Sequence, residues 1–204
     1  GKFMTGLDDD DEFCADRITK LIEQYDPQYS FISTGFLWNY GKRSRSVNHN
    51  AMIIDLKSQL NYNYATNQVL VEKSRLLAIG GFDESFVACQ DYDTWTRLIK
   101  AFGNAKHIAG ASYIIHRGDD VPRLTESKNW LKGHAQYMEK HAVLMSEKNK
   151  LNQEFRVIVA QRSKMTIKQL FLQLRAGQFY SKLRYFLSSN LQAVAKYRKQ
   201  FLEK

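Results

Sequence analysis

Short apolar runs in the first half of the chain give way to longer stretches whose apolar positions recur every three to four residues. Phe3 to Leu7 is a brief apolar run that ends in four aspartates, and its length predicts a buried strand. Phe13, Ile18, Leu21, Ile22 and Tyr25 recur at helical spacing until Pro27 stops them. Ser30 to Tyr40 is rich in aromatic and β-branched residues, and Gly41-Lys42 turns it into a second strand near Arg45 to Val47, a hairpin. Met52-Ile53-Ile54 and Val69-Leu70-Val71 predict two more strands, and Lys73 to Leu77 a short helix. Gly80-Gly81 marks a turn where backbone can approach closely. Trp95, Leu98, Ile99 and Phe102 form the buried face of a helix closed by Gly103. Lys106 to Ala109 and Tyr113 to Ile115 predict two further short strands.

From Ser127 onward the period is helical. Trp130, His134, Tyr137, Met138, His141 and Met145 give a mixed face that packs back on the preceding residues. Ile167, Leu170, Phe171 and Leu174 make a clearer stripe, Gly177 breaks it, and Leu183, Leu187, Leu191 and Val194 resume it. The class is α/β: a mixed sheet flanked by helices over residues 1–130, followed by an α-helical extension over 131–204. A chain of 204 residues is long enough for that division.

Charge sharpens the division. The net charge is +9. Residues 1–150 hold 19 Lys and Arg against 19 Asp and Glu, whereas residues 151–204 hold 11 against 2. A basic amphipathic tail with Phe179, Tyr180, Tyr185 and Phe186 at its apolar border suits an anionic membrane surface, or else a helical hairpin packed on itself or a partner. No base-reading module accompanies the charge, so nucleic acid is not expected as a partner. No apolar run approaches the ~18 residues of a membrane span, and no secretory signal is seen. Cys14 and Cys89 have no metal-like spacing and read as reduced thiols of a cytosolic compartment.

The four aspartates are the chemical signal. Adjacent carboxylates raise one another's pKa unless a cation offsets them. A hard dication, Mg²⁺ or Mn²⁺, held by one or two carboxylates and substrate phosphates would do so. The plainer reading is that Asp9 to Glu12 cap the following helix. An EF-hand is excluded, because no glycine follows the third acidic position at the required distance. Asp91 stands at the start of its helix, where its plain role is the N-cap, and Asp93 could serve there as well.

These residues carry a resemblance. Gly1-Lys2-Phe3-Met4-Thr5-Gly6-Leu7-Asp8-Asp9-Asp10-Asp11, with Arg17-Ile18 downstream, is similar to the D-x-D segment of bacterial family 2 glycosyltransferases of the GT-A fold, a Rossmann-like architecture. Ile79-Gly80-Gly81-Phe82-Asp83-Glu84 and then Gln90-Asp91-Tyr92-Asp93-Thr94-Trp95-Thr96-Arg97-Leu98 resemble the family's G-G-F-D-E and E-D-x-D-x-W-x-R-L blocks, in the right order. The resemblance covers residues 1 to about 130. In the family the D-x-D falls midway through the domain, after a half that holds the nucleotide base. This chain therefore reads as the acceptor-side part, its other half deleted, cleaved or never made.

The resemblance implies roles. Asp8 and Asp10, helped by Asp11 and His116, would hold the metal ion on the donor diphosphate. Asp91 would be the general base for the acceptor hydroxyl, with Gln90 standing where the family has glutamate. Asn67, Gln68, Gly81, Asp83, Glu84 and Arg123 would contact donor or acceptor; as plain turn or surface residues they need no such role. The loop Gly118 to Thr125 would cover the donor. Expected partners are a nucleotide-sugar, a UDP-sugar first, and a glycan or lipid-linked acceptor. The expected setting is cytoplasmic, peripheral on the inner face of the plasma membrane. The alternative is an inactive fragment that serves as a membrane- or partner-binding module. A truncated sheet edge would also invite pairing with a second copy.

Overall fold

The computed structural model describes residues 1–41, 43–65, 68–116 and 128–191. One long strand organises the sheet. β7 (Ala105–His116) runs parallel to β3 (Ile32–Asn39), and β4 (Ser44–Val47) returns antiparallel from β3 as the expected hairpin. The other edge of β7 is shared end to end. Its first residues pair antiparallel with β5 (Met52–Ile54), its last with β2 (Asp11–Phe13). β1 (Phe3–Met4) and β6 (Val71–Glu72) form a separate antiparallel pair, joined to the main sheet by a bridge between Leu70 and Ile32. The result is a mixed sheet flanked by helices, as expected for the α/β class.

Successive strand residues face opposite sides, and two apolar clusters follow that rule. Phe31 and Ala105 join Ile54, Val69, Val71 and Leu76 under Trp95, Leu98 and Ile99 of α4 (Gln90–Phe102), with Leu76 carried on α3 (Lys73–Ala78). Ile32 and Ile108 take Leu70 and Leu21 of α1 (Arg17–Glu23) on the other face. Trp95 is 2% exposed, and its truncation to Ala would cost about 3–5 kcal/mol.

The C-terminal helices are tied to this body by polar contacts. Asn149 of α6 (Glu147–Ala160) donates to Lys57 O and Asn61 Oδ1, both at 3.0 Å, on α2 (Leu56–Asn61). Tyr137 of α5 (Lys128–His141) stacks on Tyr92 with centroids 3.9 Å apart. Trp130, His134, Tyr137, His141 and Met145 are all buried, so the mixed face of α5 packs back as its pattern predicted. α7 (Ile167–Leu174) and α8 (Phe179–Asn190) close on α6 around Phe155, Met165 and Leu170. No helix among the described residues is long and apolar enough to cross a membrane.

Four expectations are corrected. Phe3 to Leu7 is not a buried strand: only Phe3–Met4 pairs, and Leu7 is half exposed. Asp9 to Glu12 do not cap a helix, because Asp11 to Phe13 continue as β2 and α1 begins only at Arg17. The two short strands at 106–115 are one strand. Gly110, at φ 99°, lies where the register against β3 shifts, so pairing resumes beyond it. The N-cap of α4 is neither Asp91 nor Asp93 but Cys89, whose φ of 63° turns the chain into the helix.

Candidate active site

Asp8 to Asp10 form an exposed turn closed by the Asp11 N–H on Asp8 O, at 3.1 Å. Tyr113 of β7 anchors it: its phenol oxygen accepts the Asp8 N–H at 3.1 Å and the same hydroxyl donates to the Asp11 carboxylate. Partial burial raises the Asp11 pKa, and the charges of Asp10 and Asp8 push it the same way; bonds from Tyr113 and the His116 N–H oppose them. His116 Nε2 sits 2.9 Å from Glu12 Oε1, and its Nδ1 lies 3.3 Å from Asn39 Nδ2.

Among the described residues, no three His, Cys, Asp or Glu side chains converge as a ready-made metal cage. A dication completed by phosphate oxygens and water needs only one or two carboxylates. Asp8 and Asp10 fit that donor set, and the charge they place on Asp11 marks a cluster that a cation would relieve. Asp11 and His116 are already engaged by protein partners.

Behind the turn lies a group whose role the sequence reading missed. Arg17 is fully buried, and its Nη1 donates to Thr34 Oγ1 at 2.8 Å and Ser112 Oγ at 3.0 Å. The rings of Phe13 and Tyr113 flank its guanidinium at 4.9 and 5.3 Å. Burial pulls its pKa down to about 10, and its charge is met by dipoles and ring faces rather than by a carboxylate. Its Nη2 holds Gln68 O at 3.0 Å, and Gln68 Nε2 in turn donates to Asp8 Oδ1 at 3.0 Å. Arg17 thereby fixes Gln68 against the acidic turn.

Asn63 donates to Asp91 Oδ2 at 2.9 Å. Five positions separate Asn63 from Gln68, so chain geometry keeps their Cα atoms within about 18 Å. Asp91 lies in the first turn of α4, and burial of its carboxyl raises the pKa to about 6. The Tyr92 N–H, Asn63 and the charge of Arg156 hold it back from going higher. A carboxylate of that strength is ionised at neutral pH and still a competent proton acceptor.

Arg156 arrives from α6. Its guanidinium lies over Tyr62, Tyr92 and Trp130 at 4.8, 5.5 and 5.8 Å, and its buried Nη1 has no hydrogen-bond acceptor. Nothing local in the sequence announces it, because the contact joins elements some sixty residues apart.

Asp93 has a different fate two residues on. Burial alone would raise its pKa, but His141 Nε2 at 2.8 Å, Lys140 Nζ at 3.0 Å and Arg97 Nε at 2.7 Å outweigh it and hold the carboxyl below its usual value. Arg97 also donates to Ile79 O and Gly81 O at 2.8 and 2.7 Å. The Gly80-Gly81 turn, at φ 81° and 71°, is therefore clamped by the Arg of the same motif. Asp83 accepts from Lys140 Nζ at 2.6 Å, and that bond together with those from Ser85 keeps it well below the ordinary carboxylate range. Gly81, Asp83 and Glu84 line a depression of about 370 Å³ with Arg97 and Lys140. Residues two apart lie roughly 200° around a helix, so this depression gathers on the Asp93 side of α4, away from the Asn63–Asp91 contact. Gln90 is exposed at the first helical position. Asn67, Arg123, the loop 118–125, Lys42 and the tail from residue 192 lie outside the described residues.

Gln68 holds Asp8 and Asn63 holds Asp91. No family model matches the chain. It is 24% identical over 189 residues to the putative colanic acid biosynthesis glycosyl transferase WcaA of Escherichia coli (strain K12). The match covers 87% of this chain and spans 66% of that protein's length. The similarity is thus to a glycosyl transferase.

Proposed function

We propose that this chain carries the metal-side and acceptor-side part of an inverting glycosyltransferase of family 2 and GT-A type. Its donor is a nucleotide-sugar, a UDP-sugar in the first instance. The relative's name places that protein in polysaccharide biosynthesis, and a glycan or lipid-linked acceptor hydroxyl is the corresponding acceptor here. The observation that carries the reading is that Asn63 holds Asp91 and Gln68, five positions on in sequence, holds Asp8.

In this mechanism Asp8 and Asp10 would hold Mn²⁺ or Mg²⁺, which would supply positive charge to offset that of the departing nucleotide diphosphate. Asp91 accepts the proton of the acceptor hydroxyl as that oxygen attacks the anomeric carbon from the face opposite the diphosphate, which inverts the configuration. Asn63 orients the carboxylate through Oδ2, with the Tyr92 N–H as a second donor. Arg97 and Asp93 set the position of the Gly80-Gly81 turn beside the helix.

Calorimetric titration of UDP with and without Mn²⁺ tests the donor side. Binding that requires Mn²⁺ and disappears in Asp8→Ala with Asp10→Ala is the expected result. UDP affinity indifferent to both metal and aspartates would overturn the metal assignment. A transfer assay on Asp91→Asn tests the base: an active variant removes Asp91 from the chemistry.

A further inference from the structure

The helical pair at the C-terminal end turns its apolar stripe outward. Leu170 of α7 is buried against α6, but Ile167 and Phe171, one turn apart, are 64% and 67% exposed. On α8, Phe179, Leu183 and Leu187 repeat at intervals of four residues and are exposed, with Tyr180 beside them at 76%. The stripe read from the sequence is split. Leu170 and Leu174 face α6, while Ile167 and Phe171 do not.

The pair is held firmly in that pose. Lys182 is fully buried, and its ammonium donates at 2.7 Å to both Asn152 Oδ1 and Gln173 O. Tyr185 donates to the carbonyls of Ile158 and Ser163. A face this apolar on a fixed scaffold marks a contact surface. Its charge identifies the partner. Residues 161–191 contain six Lys or Arg and no Asp or Glu. Lys164, Lys168, Arg175 and Arg184 are all exposed around the apolar side chains, and Arg184 packs over Tyr180 at 5.5 Å.

We infer that the outward face of α7 and α8 docks on an anionic lipid surface. The aromatic and aliphatic side chains enter the headgroup boundary and the basic rim meets lipid phosphates. Neither helix spans the bilayer. The inference rests on this face alone and stands whether or not Asp91 is a base.

The test is co-sedimentation of the full chain with vesicles of phosphatidylcholine alone or with 30% phosphatidylglycerol. The expected result is at least tenfold stronger binding to the anionic vesicles, weakened by high salt. A Phe171→Asp, Phe179→Asp double variant should lose that binding at least tenfold and keep its melting temperature, since both side chains are already exposed. Equal binding to both vesicle types, no binding, or a double variant that still binds would overturn the inference. A dimer in sedimentation velocity that the same variant dissolves, with no vesicle binding, would assign the face to a second copy instead.

Discussion

The acidic turn at Asp8 to Asp10 and the first turns of α4 both present carboxylates, yet the fold treats them oppositely. The turn is exposed and held at its edges, by Tyr113 and Gln68. The α4 acids are set into a network with Asn63, α5 and α6. Within that network, two residues of separation decide the outcome. Asp91 meets a neutral amide and a guanidinium farther off, and its pKa rises to about 6. Asp93 meets three basic side chains and its pKa falls. A carboxylate wrapped in ionic partners has a structural post, whereas one desolvated and met by neutral donors keeps its basicity for a substrate.

The largest expected effect separates the two α4 acids. Asp91→Asn should slow transfer by about 10²–10⁴-fold while leaving UDP–Mn²⁺ affinity unchanged, as read by a transfer assay beside calorimetry. Arg97→Ala should instead cost about 3 kcal/mol or more in denaturant unfolding, because it strips the buried Asp93 of an ion pair. If Arg97→Ala melts like the parent, the structural reading of Asp93 fails.

Gly133 offers a geometric test of how α5 is seated. A Cβ there would run into the Ala88 carbonyl, just before the Cys89 turn that starts α4. Gly133→Ala should therefore destabilise by about 1–3 kcal/mol, measured by thermal melting.

Titration sharpens the comparison further. Transfer should fall as pH drops through about 6, where Asp91 takes up its proton. Because its folded pKa is raised, the native state binds a proton between about pH 4 and 6 that the unfolded chain does not. The Asp91 contribution to stability therefore declines as pH rises through that window, and Asp91→Asn should remove that slope. Arg156→Gln should move the acid limb of the rate profile upward, since its charge favours the ionised form. The smallest effect belongs to the exposed turn: Asp10→Ala should change stability by no more than about 0.5 kcal/mol.

Much of the fold was legible because its signals are local. The hairpin at 32–47, the helix closed by Gly103 and the inward face of α5 follow from periodicity and turn residues alone. The single strand through Gly110 was not legible, because a bulge is defined by the partner strand. Among the candidate site residues, Asp8, Gln68 and Asp91 were picked out, and Gln68 holds Asp8 while Asn63 holds Asp91. Arg17, Arg97 and Arg156 were not assigned their parts, since each acts through carbonyls, rings or acids far away in sequence.

The sequence by itself determined the order of strands and helices, the run of four acids and the acid-free basic stretch near the end, because these depend only on neighbours along the chain. Which acid of α4 stays basic, and which way the last two helices turn their apolar side, only the tertiary structure decided. Both depend on groups delivered from distant segments: Asn63, α5 and α6 around the carboxylates, and α6 beneath the helical pair.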